Sequence, residues 1–108
     1  MSAHEDYVRV ARLSEIPPGK SRRVKLDDDD VALWNVQGTI FAVNAVCAHQ
    51  HFTSLHQGIL IGRTVTCPMH GWQYSLETGE AVAGSGRVRT YRVKVQGDEV
   101  YLERPPSV

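Results

Sequence analysis

The chain has 108 residues, room for one domain with a single modest core. Its twelve basic and twelve acidic residues cancel, leaving no basic field to hold nucleic acid or an anionic bilayer. The apolar runs are far shorter than a membrane span, and the opening Met1 to Asp6 lacks the basic region and apolar stretch of a secretory signal, so a cytoplasmic protein with reduced thiols is expected.

Most of the chain reads as short strands. Tyr7 to Arg12 is β-branched and aromatic enough to predict a first strand. Pro17-Pro18-Gly19 predicts a turn, and Ser21 to Leu26 a second strand. Asp27-Asp28-Asp29-Asp30 reads as a solvated turn. Val31 to Val36 and Thr39 to Val43 flank Gln37-Gly38, and Ile59 to Ile61 and Thr64 to Thr66 flank Gly62-Arg63. Arg89 to Val95 and Glu99 to Glu103 flank Gln96-Gly97-Asp98. A glycine in so short a connection supplies the positive φ that a tight hairpin needs. In the last pair Tyr91, Val93 and Val95 alternate with Arg92 and Lys94, and Val100 and Leu102 continue the apolar side. One face is therefore expected to be buried and the other wet, as in an antiparallel sheet. The tail from Arg104 to Val108 is expected to be loosely held. No window sustains helical periodicity, and neither a repeat nor a linker divides the chain. The expected class is all-β, a small sandwich or barrel.

Two segments between these strands carry chemistry. Cys47-Ala48-His49-Gln50-His51 places one thiol and two imidazoles within five residues, and Cys67-Pro68-Met69-His70-Gly71 adds one more of each. Both cysteines of the chain lie here. They could form one disulfide, but in a small cytosolic protein a cysteine pair flanked by histidines more often binds metal. A zinc finger of the Cys₂His₂ kind groups its cysteines in one place and its histidines on a helix. Here each segment offers one thiolate and one imidazole instead. A single zinc could accept that set. A two-iron, two-sulfide cluster with unlike irons explains it better, with both thiolates on one iron and both imidazoles on the other. Each segment sits at a strand end, where a loop can carry chemistry on a rigid base.

Cys47-Ala48-His49 with Cys67-Pro68-Met69-His70-Gly71-Trp72 resembles the Rieske iron–sulfur signature, C-x-H with C-P-x-H-G. Leu55 and Gly58, Thr64-Val65-Thr66, Tyr74 and Thr78-Gly79 are similar to the family's surrounding pattern. The resemblance implies one Rieske-type [2Fe-2S] domain over residues 1–108, a Rieske-like all-β fold of small antiparallel sheets with a cluster-binding subdomain, about 45–77, at one tip. It implies one cluster per chain, with Cys47 and Cys67 as thiolates on the inner iron and His49 and His70 as imidazoles on the outer iron. Gly71 would let the loop backbone pass close to the cluster sulfurs, and Pro68 would stiffen the turn. His51 departs from the family, which usually has a small residue there; it is an alternative ligand to His49 or a surface histidine. His56 reads as a solvated side chain or a partner contact. Phe52 and Met69 stand where high-potential members carry a disulfide, and either shield the cluster or simply pack. Trp72, expected in the subdomain core, stands where those members have serine. Tyr74 keeps their tyrosine, either as a donor to a thiolate or as a core aromatic with a hydrogen-bonded tip. These departures predict a reduction potential in the lower half of the Rieske range of about −150 to +300 mV. Many relatives cover the cluster with a proline-bearing loop at Glu80 to Arg87; this chain has Ala83-Gly84-Ser85-Gly86 and no proline, so a more mobile cover is expected.

No second metal set, dinucleotide fingerprint or flavin motif is visible, so nothing points to a catalytic machine. The resemblance implies a soluble one-electron carrier that takes electrons from a flavin-dependent reductase and passes them to a terminal oxygenase or other oxidoreductase. Two alternatives stand beside it: the small iron–sulfur subunit of an enzyme like an assimilatory nitrite reductase, and a zinc-bound structural module.

Overall fold

The computed structural model describes residues 7–45, 58–67, 72–83 and 86–104. Its strands in chain order are β1 (Tyr7–Arg12), β2 (Ser21–Leu26), β3 (Asp29–Val36), β4 (Thr39–Asn44), β5 (Ile59–Ile61), β6 (Thr64–Thr66), β7 (Gln73–Ser75), β8 (Ala81–Ala83), β9 (Thr90–Tyr91), β10 (Val93–Gln96) and β11 (Glu99–Glu103). They form three antiparallel sheets, ordered β1-β11-β10, β2-β3-β4-β9 and β5-β6-β7-β8. The chain is all-β, as its alternation and turn chemistry imply.

Strand β3 explains how three small sheets make one body. Successive residues of a strand face opposite ways, and both faces of β3 are apolar. Val31 and Leu33 enter one core with Val24, Ile40, Val100 and Leu102. Ala32 and Trp34 enter a second core with Val43, Val65, Tyr74 and Val88. The middle sheet is therefore covered by β1-β11-β10 on one side and by β5-β6-β7-β8 on the other. Fully burying each of the larger side chains contributes about 1.5–3 kcal/mol, so β3 stabilises both halves at once.

The β3–β4 turn follows from local chemistry. Gln37 has φ 52° and Gly38 φ 97°, the left-handed pair that a two-residue hairpin requires. Asn35, 3% exposed, has both polar ends of its side chain bonded. Its Nδ2 donates to the Ile16 carbonyl at 2.7 Å, and its Oδ1 accepts the Gly38 N–H at 2.7 Å. One side chain thus ties the Pro17-Pro18-Gly19 turn to the hairpin.

Four local expectations need correcting. Asp29 and Asp30 are not part of a solvated turn; they open β3, opposite Leu26 and Lys25, and Asp30 is held by Arg23 at 2.9 Å and Lys25 at 3.4 Å. The stretch Arg89 to Val95 is not one strand. Tyr91 pairs with Ala42 of the middle sheet, whereas Val93 pairs with Leu102, and the chain changes sheets at Arg92, whose carbonyl accepts the Glu103 N–H at 3.0 Å. Val95, past that switch, is 42% exposed, so the apolar alternation outruns the core. Arg104 is tied down, its Nε donating to Asp27 Oδ2 at 3.0 Å; residues 105–108 lie outside the described set. Two elements carried no visible signal: the 3₁₀ turn Leu13–Glu15, and β8, which carries the third sheet on to Ala83.

Candidate metal centre

The second Cys/His segment begins at the end of β6 and leads to β7. The ladder of these two strands pairs Thr64 with Ser75, Val65 with Tyr74 and Thr66 with Gln73. One further bond, from the Cys67 N–H to the Trp72 carbonyl at 2.7 Å, extends this pairing beyond the ladder. Cys67 is thus the last residue of the stem, and its thiol is fully buried in the second core. Val65 and Tyr74, opposite one another on the same face, are fully buried there too. Trp72 packs against that core from its margin.

The first segment leaves from the same core. β4 ends at Asn44, whose N–H donates to the Arg89 carbonyl at 2.7 Å, and the next residue, Ala45, donates to the Asp30 carbonyl at 2.8 Å. Ala45 is fully buried in the same core as Cys67. A side-chain brace lies beneath this stem. Tyr91 Oη donates to Asp29 Oδ2 at 2.8 Å and accepts from Asn44 Nδ2 at 3.1 Å. Burial pushes the Tyr91 hydroxyl up to about pKa 12, and its bond to the Asp29 carboxylate adds to the rise. The phenol stays neutral and keeps donating. Nothing in the sequence singled out this brace: Asp29 read as part of a charge run and Tyr91 as one apolar position among several.

The third stretch, Glu80 to Arg87, is closed at its base. Glu80 and Arg87 form an isolated bridge, their side chains meet at 2.7 Å, and the Ala81 N–H donates to the Gly86 carbonyl at 3.1 Å. Residues 84–85 lie outside the described set, and with them the question of a mobile cover.

Of the four expected ligands, Cys67 lies among the described residues. Cys47, His49 and His70 fall outside them, as do His51, Phe52, His56, Pro68, Met69 and Gly71. What the fold displays is the platform: the stems of both segments rise from one buried core.

The Rieske [2Fe-2S] domain model matches residues 6–97. This chain belongs to the Rieske [2Fe-2S] family. The ferredoxin component of the naphthalene 1,2-dioxygenase system of Pseudomonas aeruginosa is 31% identical over 101 residues, spanning 92% of this chain and 96% of that protein. Among solved structures, a complex of reduced oxygenase and oxidized ferredoxin in carbazole 1,9a-dioxygenase contains a chain 26% identical, with a TM-score of 0.85 over 95% of this chain and 97% of that one. A putative NADH-dependent nitrite reductase small subunit from Mycobacterium tuberculosis has the same fold, with a TM-score of 0.86 at 23% identity over 94% of this chain and 96% of that one. Membership of the Rieske family implies a [2Fe-2S] cluster.

The residues on the page fit such a group. Cys67 offers sulfur in a dry core, where a soft thiolate–iron bond is protected from water. Trp34 and Tyr74 in this core, and Trp72 at its margin, each carry an N–H or O–H. A sulfide cluster is an acceptor, and N–H and O–H donors are its complement. Among the described residues no helix is long and apolar enough to cross a membrane.

Proposed function

We propose that this Rieske protein is a one-electron carrier, a ferredoxin that receives electrons from a flavin-dependent reductase and delivers them to a terminal oxygenase or a similar oxidoreductase. The carrying observation is one of extent: the match spans 92% of this chain and 96% of a dioxygenase-system ferredoxin component. In this reading the chain is one Rieske-type domain, and its cluster-binding subdomain takes in about residues 45–77. Cys47 and Cys67 hold one iron and His49 and His70 the other, one cluster per chain, in the cytoplasm. His49, two residues from Cys47, suits the ligand pattern better than His51.

When bound, the cluster supplies reversible one-electron storage at a potential raised by its neutral imidazole ligands. The chain's own residues do the rest. The β6–β7 stem holds Cys67 in place, and Val65, Tyr74 and Leu76 exclude water from around it. The Tyr91–Asp29–Asn44 brace steadies the departure of the first segment.

Iron and acid-labile sulfide analysis with reduced-state EPR tests the assignment. Two irons and two sulfides per chain, with a mean g below that of all-thiolate clusters, are expected; zinc without sulfide would overturn it. His70→Cys shifts the ligation toward the all-thiolate kind, so the potential should fall toward the value of about −400 mV typical of plant-type ferredoxins. An intact cluster of unchanged potential would remove His70 from the ligand set. Size-exclusion chromatography of an extract separates a carrier, which elutes alone, from a subunit, which elutes with its complex.

A further inference from the structure

A groove of about 660 Å³ opens on the flank of the molecule, where the sheets part. Its cause is the shortness of β9, which pairs with Ala42 and Val43 and then ends. Past Tyr91 the chain switches sheets at Arg92, and Val93 pairs with Leu102 instead. β4 has no strand neighbour there on the β9 side, and the groove runs along its Ile40 and Phe41. The floor is apolar and follows the seam between the two cores. Ile40 and Val93 lie with the first core, Phe41 and Leu76 with the second. Phe41 and Val93 are half-buried, so part of each side chain is left uncovered.

The rim is charged, with Arg89, Arg92 and Arg104 set against Glu77 and Glu103. Glu77 is held by Arg63 at 3.1 Å, and Arg104 by Asp27 at 3.0 Å. Arg89 and Arg92 are held far more loosely. The carboxylates they face, Asp29 and Glu103, both stand at 3.8 Å, beyond hydrogen-bond range. The Asp29 oxygen nearest Arg89 already accepts the Tyr91 hydroxyl at 2.8 Å. Neither guanidinium makes a hydrogen bond among the described residues. Exposed pairs of this kind contribute about 0–1 kcal/mol, so both arginines can turn to a better acceptor at little cost. A guanidinium is a planar fork of N–H donors whose best match is a carboxylate. We propose that this groove binds a small organic carboxylate, with its charged end on Arg89 and Arg92 and its apolar body on Phe41 and Val93. Glu103 repels a bare anion, so binding draws on charge-assisted hydrogen bonds and on hydrocarbon burial together. Arg89 and Tyr91 both line the groove, which places an occupant next to the Tyr91–Asp29 brace under the first segment. The site was hidden in the sequence because residues three apart face opposite ways on a single strand. The switch of sheets at Arg92 brings Arg89 and Arg92 to one groove.

The test titrates the full-length, oxidised protein with three probes while its backbone amide signals are followed by NMR. Hexanoate carries both parts of the proposed ligand, acetate the charge without the body, and hexylammonium the body with the opposite charge. Hexanoate should move the amides of Phe41, Thr90 and Val93 saturably, with an affinity at least about tenfold above that of acetate. Hexylammonium should leave those amides in place. Arg92→Gln alters a side chain that is 81% exposed, so the fold should survive, and it should weaken hexanoate about tenfold. Arg9→Gln, at an exposed ion pair outside the groove, should leave the affinity unchanged. Equal affinity for acetate and hexanoate, hexylammonium binding at the same amides, or full affinity in Arg92→Gln each overturns the inference. Shifts that scatter over the surface without saturating overturn it as well. A glutamate-rich peptide that binds at these amides where hexanoate does not overturns it in favour of carboxylates carried by a protein.

Discussion

The base of the molecule and the sheet that carries the second Cys/His segment obey different rules. The base joins β1-β11-β10 to β2-β3-β4-β9. Its longest strand, β3, runs eight residues, and ion pairs such as Arg9–Glu99 at 2.9 Å and Arg23–Asp30 at 2.9 Å lie at its surface. The tip sheet has four strands of three residues each. Its ladder puts Ile59, Thr66 and Gln73 in one row, and Ile59 and Ile61 on that outer face are each 63% exposed. Strands so short are marginal by themselves. The tip is ordered because its inner face, Leu60, Val65 and Tyr74, leans on the back of β3 and β4. A rigid, self-sufficient base and a dependent tip suit a carrier whose working end must hold a cofactor close to the surface.

The largest effect is expected where the two regions join. Gly79 has φ +79°, and a Cβ there would run into the Val88 carbonyl oxygen. Its N–H donates to the Ser75 carbonyl at 2.8 Å, and its own carbonyl accepts the Val88 N–H at 2.8 Å. The residue thereby ties the turn after β7 to the strand returning to the base. Gly79→Ala should destabilise the protein by about 3 kcal/mol through backbone strain and the forced separation of these segments. In hydrogen exchange the amides of β6 and β7 should lose protection while those of β3 and β11 keep theirs. Simultaneous loss in both regions would show that they do not differ in independence.

Asn35→Ala probes the base alone. It removes two short bonds from a buried side chain and strands the Ile16 carbonyl and the Gly38 N–H. A loss of about 2 kcal/mol is expected by urea denaturation, with the reduction potential of the loaded protein unchanged. A shifted potential would mean that the base tunes the tip through its fold, and the contrast between the regions would have to be withdrawn.

The smallest effect is a pH dependence. The folded state raises the Tyr91 pKa from 10 to about 12, so it favours the neutral phenol. The stabilisation is complete below pH 10 and declines as pH rises toward 12, because the unfolded chain ionises first. With solvent screening allowed for, about 1 kcal/mol should be lost across that window. Alkaline denaturation of the wild type and of Tyr91→Phe checks it: the phenylalanine variant should lack this slope. An equal slope in both would remove the brace under the first segment.

Much of the scaffold was legible from local rules. Strand β1 spans the expected Tyr7 to Arg12, β2 the expected Ser21 to Leu26, and β5 and β6 both of the short runs around Gly62-Arg63. These follow from β-branched composition and from glycines at positive φ, which need only near neighbours in sequence. The family was equally legible, because C-x-H and C-P-x-H-G state the chemistry outright, and the match to residues 6–97 agrees with it. Reading stopped where a residue's role depends on a distant partner. Asp29 looked like one of four solvated carboxylates until it met Tyr91 across the fold, 62 positions along the chain. β8 is three small residues that become a strand only because β7 offers an edge.

The sequence by itself determined which segments are extended, where the chain turns, and that two cysteines and their neighbouring histidines belong to a Rieske motif, because periodicity, backbone φ and ligand type are properties of short stretches. The tertiary structure alone decided that β3 serves two cores, that Arg89 to Val95 divides between two sheets, and that Ala45 and Cys67, on the stems of the two segments, fall in one buried core. Burial and hydrogen-bond partnership depend on surfaces brought together from far along the chain, and no local pattern encodes which surfaces those will be.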